Sequence, residues 1–387
     1  MESPAAVAGG RLLMIVVVGA TLAGFAAAAR LARVNHEVVV VEARASQPAL
    51  LPSPLEDAIT LPAAWRDLFR KTGRPLDAVL AARGISLSPA PGRILRDGLQ
   101  LPADRGGQWH TLRAAYSATA ADAWQQVLDE ADTAWLTLRK LGVEAEFTGR
   151  LDAATRRALR AGTTVADVAG RIPVPELADV VGELASLRDS HPGRTPAWIA
   201  TRLSIERTFG RWQLTTPGEA AGHPGLLAEL LAQRLAWRGV QVRFGEAAHS
   251  VRPGLVVTDS SEWVSEATIL TCDPWQAAAL SGRRPPRLTR AGTVGARWRG
   301  WRTLQRLPAL TTRVAGVYEA SAFSPAGPEP WAQLQTGALA AYRVQEDLTG
   351  ADMRPSNKAY RPPPPVRPQA RIVISTSTNM SEEREPE

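Results

Sequence analysis

The chain has one cysteine, Cys272, and three lysines, Lys71, Lys140 and Lys358, in 387 residues. The lone cysteine excludes an intrachain disulfide and a cysteine-clustered zinc site, and it fits a reducing compartment. The scarcity of lysine changes the meaning of the charge. Basic residues number 45 against 38 acidic, a formal net charge of +7, which alone would point to nucleic acid or a membrane. All but the three lysines are arginine, the signature of GC-rich coding in an alanine-rich chain. They are scattered, as at Arg156, Arg157 and Arg160 or at Arg283 and Arg284, without the long stripe a nucleic-acid surface needs. No nucleic-acid partner is expected. The five histidines, His36, His110, His191, His223 and His249, share no metal-ligand spacing, so no metal is expected. There is no G-x-S-x-G nucleophile elbow and no repeat period. With 45% hydrophobic residues the chain has enough apolar material to fold, and its length suggests two or three structural units.

Long uncharged runs are also scarce, and the exception is informative. Leu12 to Ala29 carries no charge over 18 residues, the lower edge of a membrane span. A signal peptide would have Arg11 alone as its basic region, after Glu2. The run, however, changes character along its length. Leu12–Val18 is β-branched and reads as a buried strand. Gly19-Ala20-Thr21-Leu22-Ala23-Gly24 breaks it, Phe25–Val34 reads as an alanine-rich helix, and Glu37–Glu42 reads as a second buried strand ending on a carboxylate. Strand, glycine turn, helix, strand and terminal acid form the dinucleotide-binding βαβ fingerprint. Gly19 permits the tight turn, and the small residues let backbone amides approach a pyrophosphate at the helix N-terminus. Gly24 lets the helix pack on the strands, and Glu42 can take hydrogen bonds from an adenosine ribose. The middle glycine position holds Thr21.

Farther along, Pro48–Gly107 is rich in proline and reads as loops, with short helices at Trp65–Thr72 and Leu76–Arg83. Thr119 and Asp122 resemble a capping box before an amphipathic helix whose Trp124, Val127, Leu128, Ala131, Trp135, Leu138 and Leu141 recur at three and four, closed by Gly142. Asp152–Ala161, Val174–Ser186 and Thr195–Glu206 continue a mainly helical middle. The α/β pattern returns with helix Leu226–Trp237, strands at Val240–Phe244, Leu255–Thr258 and Ala267–Thr271, helix Trp275–Leu280, strands at Thr293–Trp298 and Val314–Ala320, and a last helix at Trp331–Leu348. Arg297-Trp298-Arg299 with Trp301-Arg302 fits either a sheet edge with one wet face or a membrane interface. Cys272 reads as a small buried hydrophobe. Residues 1–10 form a small-residue leader. The tail from 351 to 387, with its Tyr360–Pro368 polyproline stretch, reads as largely disordered and able to dock a protein partner.

Strands at both ends and helices between them resemble the FAD-dependent oxidoreductases of the phytoene desaturase and flavin amine oxidase type. The resemblance is carried by Val16–Ala43, by Asp97-Gly98-Leu-Gln-Leu-Pro102, and by Phe209-Gly-Arg-Trp212 with Thr216-Pro-Gly218 and Gly222-His-Pro-Gly225. It continues through Gly239–Val251, similar to a strand pair over the adenine, Ala267–Pro274, and Thr336-Gly337-Ala-Leu-Ala-Ala341. It implies an α/β fold with a Rossmann-like FAD/NAD(P)-binding domain assembled from residues 11–60, 210–275 and 311–350. An inserted, mainly helical substrate domain would comprise 61–209 and 276–310 and build an apolar tunnel. It further implies FAD held by Gly19–Gly24 at the pyrophosphate, by Glu42, Ala43 and Arg44 at the ribose end, by the backbone around Ala248 at the adenine, and by Gln335 and Thr336 facing the flavin. The substrate would be an apolar polyene, isoprenoid or amine, and the location cytoplasmic, with peripheral contact at the inner membrane face as a variant. No residue is singled out as catalytic. Departures from the family pattern stand at Thr21, at Ala45–Leu50 in place of a paired-glycine segment, and at Glu319–Phe323 in place of a Gly-Asp pair. They leave a second reading, a catalytically silent relative kept as a binding or scaffold protein.

Overall fold

The computed structural model describes residues 14–46, 58–216, 225–291 and 295–354. Strand β1, Met14–Val18, and β2, Glu37–Glu42, are apolar on both faces and buried throughout their centres, as strands covered on both sides must be. β3, Gln241–Phe244, β4, Ala267–Leu270, and β5, Val317–Glu319, complete a five-stranded sheet in the order β5-β4-β1-β2-β3. Every pairing in it is parallel, with Val18 opposite both Val41 and Leu270. This is a Rossmann-like α/β sheet. Sequence neighbours β1 and β2 lie side by side, while β4 and β5 add on the other flank of β1, so the strand order reverses at β1/β4. In doubly wound sheets that reversal leaves a crevice outside the carboxyl ends of the strands.

Val16, Val18, Val39 and Val41 face an antiparallel meander, Ala248–Arg252, Leu255–Thr258 and Glu262–Val264, through Val251 and Val256. The opposite face is covered by helices. α1, Leu22–Arg33, is buried over most of its length, with the four alanines after buried Phe25 letting neighbouring elements approach closely. It packs on the long C-terminal helix Pro330–Thr349. At Gly337 of that helix an added Cβ would lie 2.2 Å from the Ala23 carbonyl oxygen. The two helices therefore meet backbone to backbone.

The residues between β2 and β3 build a helical body. Its longest element, α2, Ala118–Leu138, buries Trp124, Val127, Leu128, Ala131 and Trp135. The first four pack with Leu112, Val165, Leu177, Val181 and Leu203 into a separate core, while Trp135 meets Trp331 edge-on. α3, Pro175–Ser186, and α4, Thr201–Phe209, flank it. A small antiparallel sheet of Ile59–Thr60, Arg211–Thr215 and Ser86–Pro89 lies where the chain enters and leaves this body. α5, Gly225–Trp237, leads back to β3.

Several elements differ from the sequence expectation. α1 begins at Leu22, three residues before Phe25, because Thr21 caps it. α2 is capped by Ser117, whose hydroxyl accepts from the Ala120 amide, so Thr119 lies inside the helix. Asp122 instead accepts from the Trp109 indole at 2.8 Å. A helix at Arg105–Ala115, capped by Asp104, begins inside the last residues of the stretch expected as loops. The expected Thr195–Glu206 helix is a 3-10 turn, Ala197–Ala200, followed by α4. Gly239–Val251 does not form one strand pair: β3 joins the parallel sheet and Ala248–Arg252 joins the meander. Of the expected Thr293–Trp298 strand, the described residues show a single bridge between Arg290 and Ala296. Trp298 is 5% exposed and stacks edge-on against Trp198, so its indole is unavailable to a membrane. The leader and the Tyr360–Pro368 stretch lie outside the described residues. No described helix is long and apolar enough to cross a membrane.

Candidate functional site

A cleft of about 430 Å³ opens at the carboxyl ends of β1, β2, β4 and β5, within the size range of ligand pockets. Its first wall is the turn after β1. Gly19 takes φ 109° and donates its amide to the Val41 carbonyl at 2.8 Å. This left-handed conformation favours glycine. The turn is also pinned from β4, where the Thr271 hydroxyl donates to the Gly19 carbonyl at 2.7 Å. Gly24 sits behind the turn, where a Cβ would come within 2.6 Å of the Gly19 oxygen. Its role is close packing of helix on strand, as its position in the fingerprint implies.

Thr21 is the N-cap of α1. Its backbone is extended, and its hydroxyl oxygen accepts the Gly24 amide at 3.1 Å. One of the helix's open donors is thus satisfied internally. The amides of Thr21, Leu22 and Ala23 have no partner among the described residues. Open amides at a helix N-terminus, with the positive end of the helix dipole, suit an anion.

Glu42, at the end of β2, completes this wall. Its Oε2 accepts from the Ala20 amide at 2.8 Å and its Oε1 from the Arg44 amide at 3.0 Å. Two backbone donors hold the carboxylate over the turn and leave each oxygen lone-pair capacity for a ligand hydroxyl. Arg44 is exposed at the rim with no carboxylate partner among the described residues. Ala43 and Ala248 line the same end.

The opposite end comes from residues the fingerprint does not contain. Cys272 and Asp273 follow β4. The Asp273 carboxylate caps helix α6, Pro274–Leu280, at the Trp275 and Gln276 amides and pairs with Arg290 at 2.7 Å. The Cys272 thiol is pushed up to about 12, chiefly by burial and then by the nearby Asp273 and Glu319 charges, in keeping with an unreactive side chain. Ser321, Ala322 and Phe323 follow β5, and the Phe323 ring meets Trp275 edge-on at 5.4 Å. Helix α7, Pro330–Thr349, contributes Gln333, whose amide donates to the Pro328 carbonyl at 2.8 Å.

Of the residues expected to hold a cofactor, Gly19, Ala20, Thr21, Leu22, Glu42, Ala43, Arg44 and Ala248 line the cleft. Ala23 and Gly24 support it from the first turn of α1. Gln335 and Thr336 do not reach it. Thr336 is buried, bonded to Ser324 and to the Ala332 carbonyl, and lines a cavity of about 20 Å³ beyond Phe323. α7 is seated on α1 at Gly337, which leaves Gln333, one turn before Thr336, at the cleft. Where an apolar tunnel was expected, the described residues enclose small spaces. A second cavity, about 40 Å³, is walled by Trp135, Trp198, Trp298 and Trp331 with the Arg188–Glu329 pair. Such volumes hold water molecules and nothing larger.

No family model and no curated protein matches the chain. Solved structures do. A putrescine oxidase bound to putrescine is 15% identical, with 70% of this chain and 61% of that one covered and a TM-score of 0.45. The cyclohexylamine oxidase from Brevibacterium oxydans is 13% identical, with 70% and 61% covered and a TM-score of 0.45. An oxidoreductase from Methanosarcina mazei is 13% identical, with the same coverage and a TM-score of 0.40. The chain thus spans about 61% of the length of these structures.

Proposed function

We propose that the chain is an FAD-dependent oxidoreductase whose cleft holds the cofactor by its ADP half. The observation that carries this is the Glu42 carboxylate, fixed by the Ala20 and Arg44 amides beside the open amides of Thr21, Leu22 and Ala23. That donor set suits a dinucleotide. The amides and the dipole of α1 take up the pyrophosphate's negative charge, and Glu42 accepts from the ribose hydroxyls. Arg44 at the rim adds a cation at the ribose end, and Ala248 offers a small wall for the adenine. A flavin bound there would supply hydride or electron-pair acceptance, chemistry that belongs to the cofactor and asks the protein for orientation and a dry site. Phe323, Trp275 and Gln333 would border its reactive end, and the helical body would present an apolar polyene, isoprenoid or amine.

A second reading, a catalytically silent relative that keeps the nucleotide, is favoured by the small interior cavities of about 20 and 40 Å³. It is favoured too by the segment after β5: Ser321-Ala322 carry no carboxylate, and Glu319, the last residue of the strand, is buried and paired with Arg283.

The visible spectrum of the purified chain, before and after added FAD, tests both. Flavin absorbance that falls with Glu42→Ala, together with reduction by an apolar amine or polyene, supports the enzyme. Flavin or ADP binding without reduction by any such substrate supports the silent relative. A colourless chain that binds neither FAD nor ADP overturns both.

A further inference from the structure

Away from the cleft, the C-terminal ends of α5, α1 and the helix Ala63–Thr72 converge on an exposed tryptophan. Trp237 is 67% exposed, and the guanidinium carbon of Arg238 lies 4.4 Å from its ring centroid and that of Arg234 5.6 Å. Arg234 also covers the Phe69 ring and donates to the Phe69 and Arg74 carbonyls, while Arg238 donates to the Thr72 carbonyl at 2.7 Å. Beside Trp237 lies a shallow depression of about 330 Å³, floored by Phe69, Val79 and Leu230 and rimmed by Arg74 and Arg83. Arg83 is held by Gln233 at 2.7 Å, and Arg33, exposed in the last turn of α1, is close enough to Arg238 to repel it.

Capping of helix carbonyls explains why Arg234 and Arg238 are there. It does not explain the charge left over. Arg33, Arg74, Arg83, Arg234 and Arg238 form no ion pair with a carboxylate among the described residues. The nearest acids are engaged elsewhere, Asp67 by Arg30 and Arg70 and Asp77 by Arg66. Glu229, exposed two turns before Trp237 on α5, is the closest free acid on that helix.

We propose that this face docks on an anionic lipid bilayer, with Trp237 at the headgroup level. Charge complementarity carries the proposal: exposed Arg33, Arg74 and Arg83 and half-exposed Arg238, none paired with a carboxylate among the described residues, surround an exposed indole and an apolar depression, with buried Arg234 adding its charge from beneath the ring. That combination binds where a negative surface overlies hydrocarbon, since tryptophan settles at the bilayer interface and clustered arginines are drawn to anionic headgroups. A nucleic-acid strand would call for several stacking rings along a groove, and this patch exposes one. The proposal does not depend on what the cleft binds.

The test is co-sedimentation of the purified full chain with vesicles of phosphatidylcholine alone, or of phosphatidylcholine with phosphatidylserine, at low and high salt. Binding is expected only to the phosphatidylserine vesicles and should be lost at high salt. Trp237→Ala and the pair Arg74→Glu with Arg83→Glu should each weaken it about tenfold, and Trp237→Phe should retain most of it. All three side chains are on the surface. The milder Arg83→Gln serves should the charge reversals alter melting. Equal binding to both vesicle types, no binding to either, or variants that bind like the parent overturns the proposal. So does a duplex oligonucleotide bound by the chain when vesicles are not.

Discussion

Thr21→Gly and Thr21→Val separate the two things the Thr21 side chain could do in the cleft. Its hydroxyl caps α1 by accepting the Gly24 amide at 3.1 Å, and its bulk stands where a dinucleotide turn ordinarily has glycine. Valine keeps the β-branched bulk and suits the extended backbone, φ −104° and ψ 169°, but provides no acceptor. Loss of a threonine cap costs about 1 kcal/mol, a fall in melting temperature of roughly 2–4 °C for a domain of some size. Glycine at an N-cap costs only about a few tenths of a kcal/mol. Because the hydroxyl is turned onto the helix's own first turn, the Thr21, Leu22 and Ala23 amides are already open to a phosphate. Removing the side chain therefore changes FAD affinity by no more than about threefold, roughly 0.7 kcal/mol. Calorimetric melting and a flavin-fluorescence titration measure the two effects separately. An affinity gain above about tenfold, 1.4 kcal/mol, on Thr21→Gly would show that the side chain blocks the phosphate. Thr21→Val melting with the parent would show that the cap is not formed. Either result refutes the geometry on which the cofactor reading rests.

Further outcomes follow from the same geometry. Gly337→Ala puts a carbon 2.2 Å from the Ala23 oxygen. The helices must part by about 1 Å, and overpacking of roughly 1–3 kcal/mol outweighs the gain of about 1 kcal/mol in helix propensity; an unchanged or raised denaturation midpoint would mean that α1 and α7 are not in backbone contact. Cys272 is half-buried in the cleft wall with its thiol near 12, thiolate to the order of 10⁻⁴ at pH 8, so a chromogenic disulfide should label the native chain far more slowly than the denatured one, and equal rates would contradict the raised thiol. Arg283 is the partner of buried Glu319, whose carboxyl is raised by burial against the pull of that guanidinium. Arg283→Met leaves the carboxylate unpaired at a cost of about 3–5 kcal/mol. A raised native pKa means that the folded state holds the proton more tightly than the unfolded one, so this loss should shrink as pH falls through the native value and be full above it. Equal destabilisation of Arg283→Met at acidic and alkaline pH would count against the pairing.

What could be read from the sequence, and what could not, divides by how far apart in the chain the partners lie. β1, α1 and β2 are one continuous segment, and each local cue agrees with the tertiary result: β-branched runs, a positive-φ glycine, a capping threonine and small residues under the helix. The first wall of the cleft is built almost wholly from that segment, so the spacing of Gly19, Gly24 and Glu42 pointed to it, while Ala43 and Arg44 were indicated by the family resemblance. The helical body was legible where the apolar period is strong, as in α2. It was missed where the pattern is weak: Arg105–Ala115 contains a Gly106-Gly107 pair, which reads as loop until Asp104 caps it.

The other end of the cleft shows why a fingerprint is not a site. Thr271, Cys272 and Asp273 are there because β4 pairs with β1; Ser321, Ala322 and Phe323 because β5 pairs with β4; and Gln333 because α7 is pressed onto α1 at Gly337. Each placement depends on a strand order or a helix contact more than 200 residues distant in sequence from β1. One local cue was available for it: Asp273-Pro274 at a strand end announces a capped helix pointing its amides back at the sheet edge. Gln335 and Thr336 lie away from the cleft because a motif fixes residue types and leaves open which face of the helix the packing presents. Contact of α7 with α1 at Gly337 puts Gln333 at the cleft and Thr336 against Ser324. The half of the cleft that would recognise a nucleotide is therefore a local property of this sequence. The half that would decide chemistry is a property of packing, and it is there that the chain departs from the pattern it resembles.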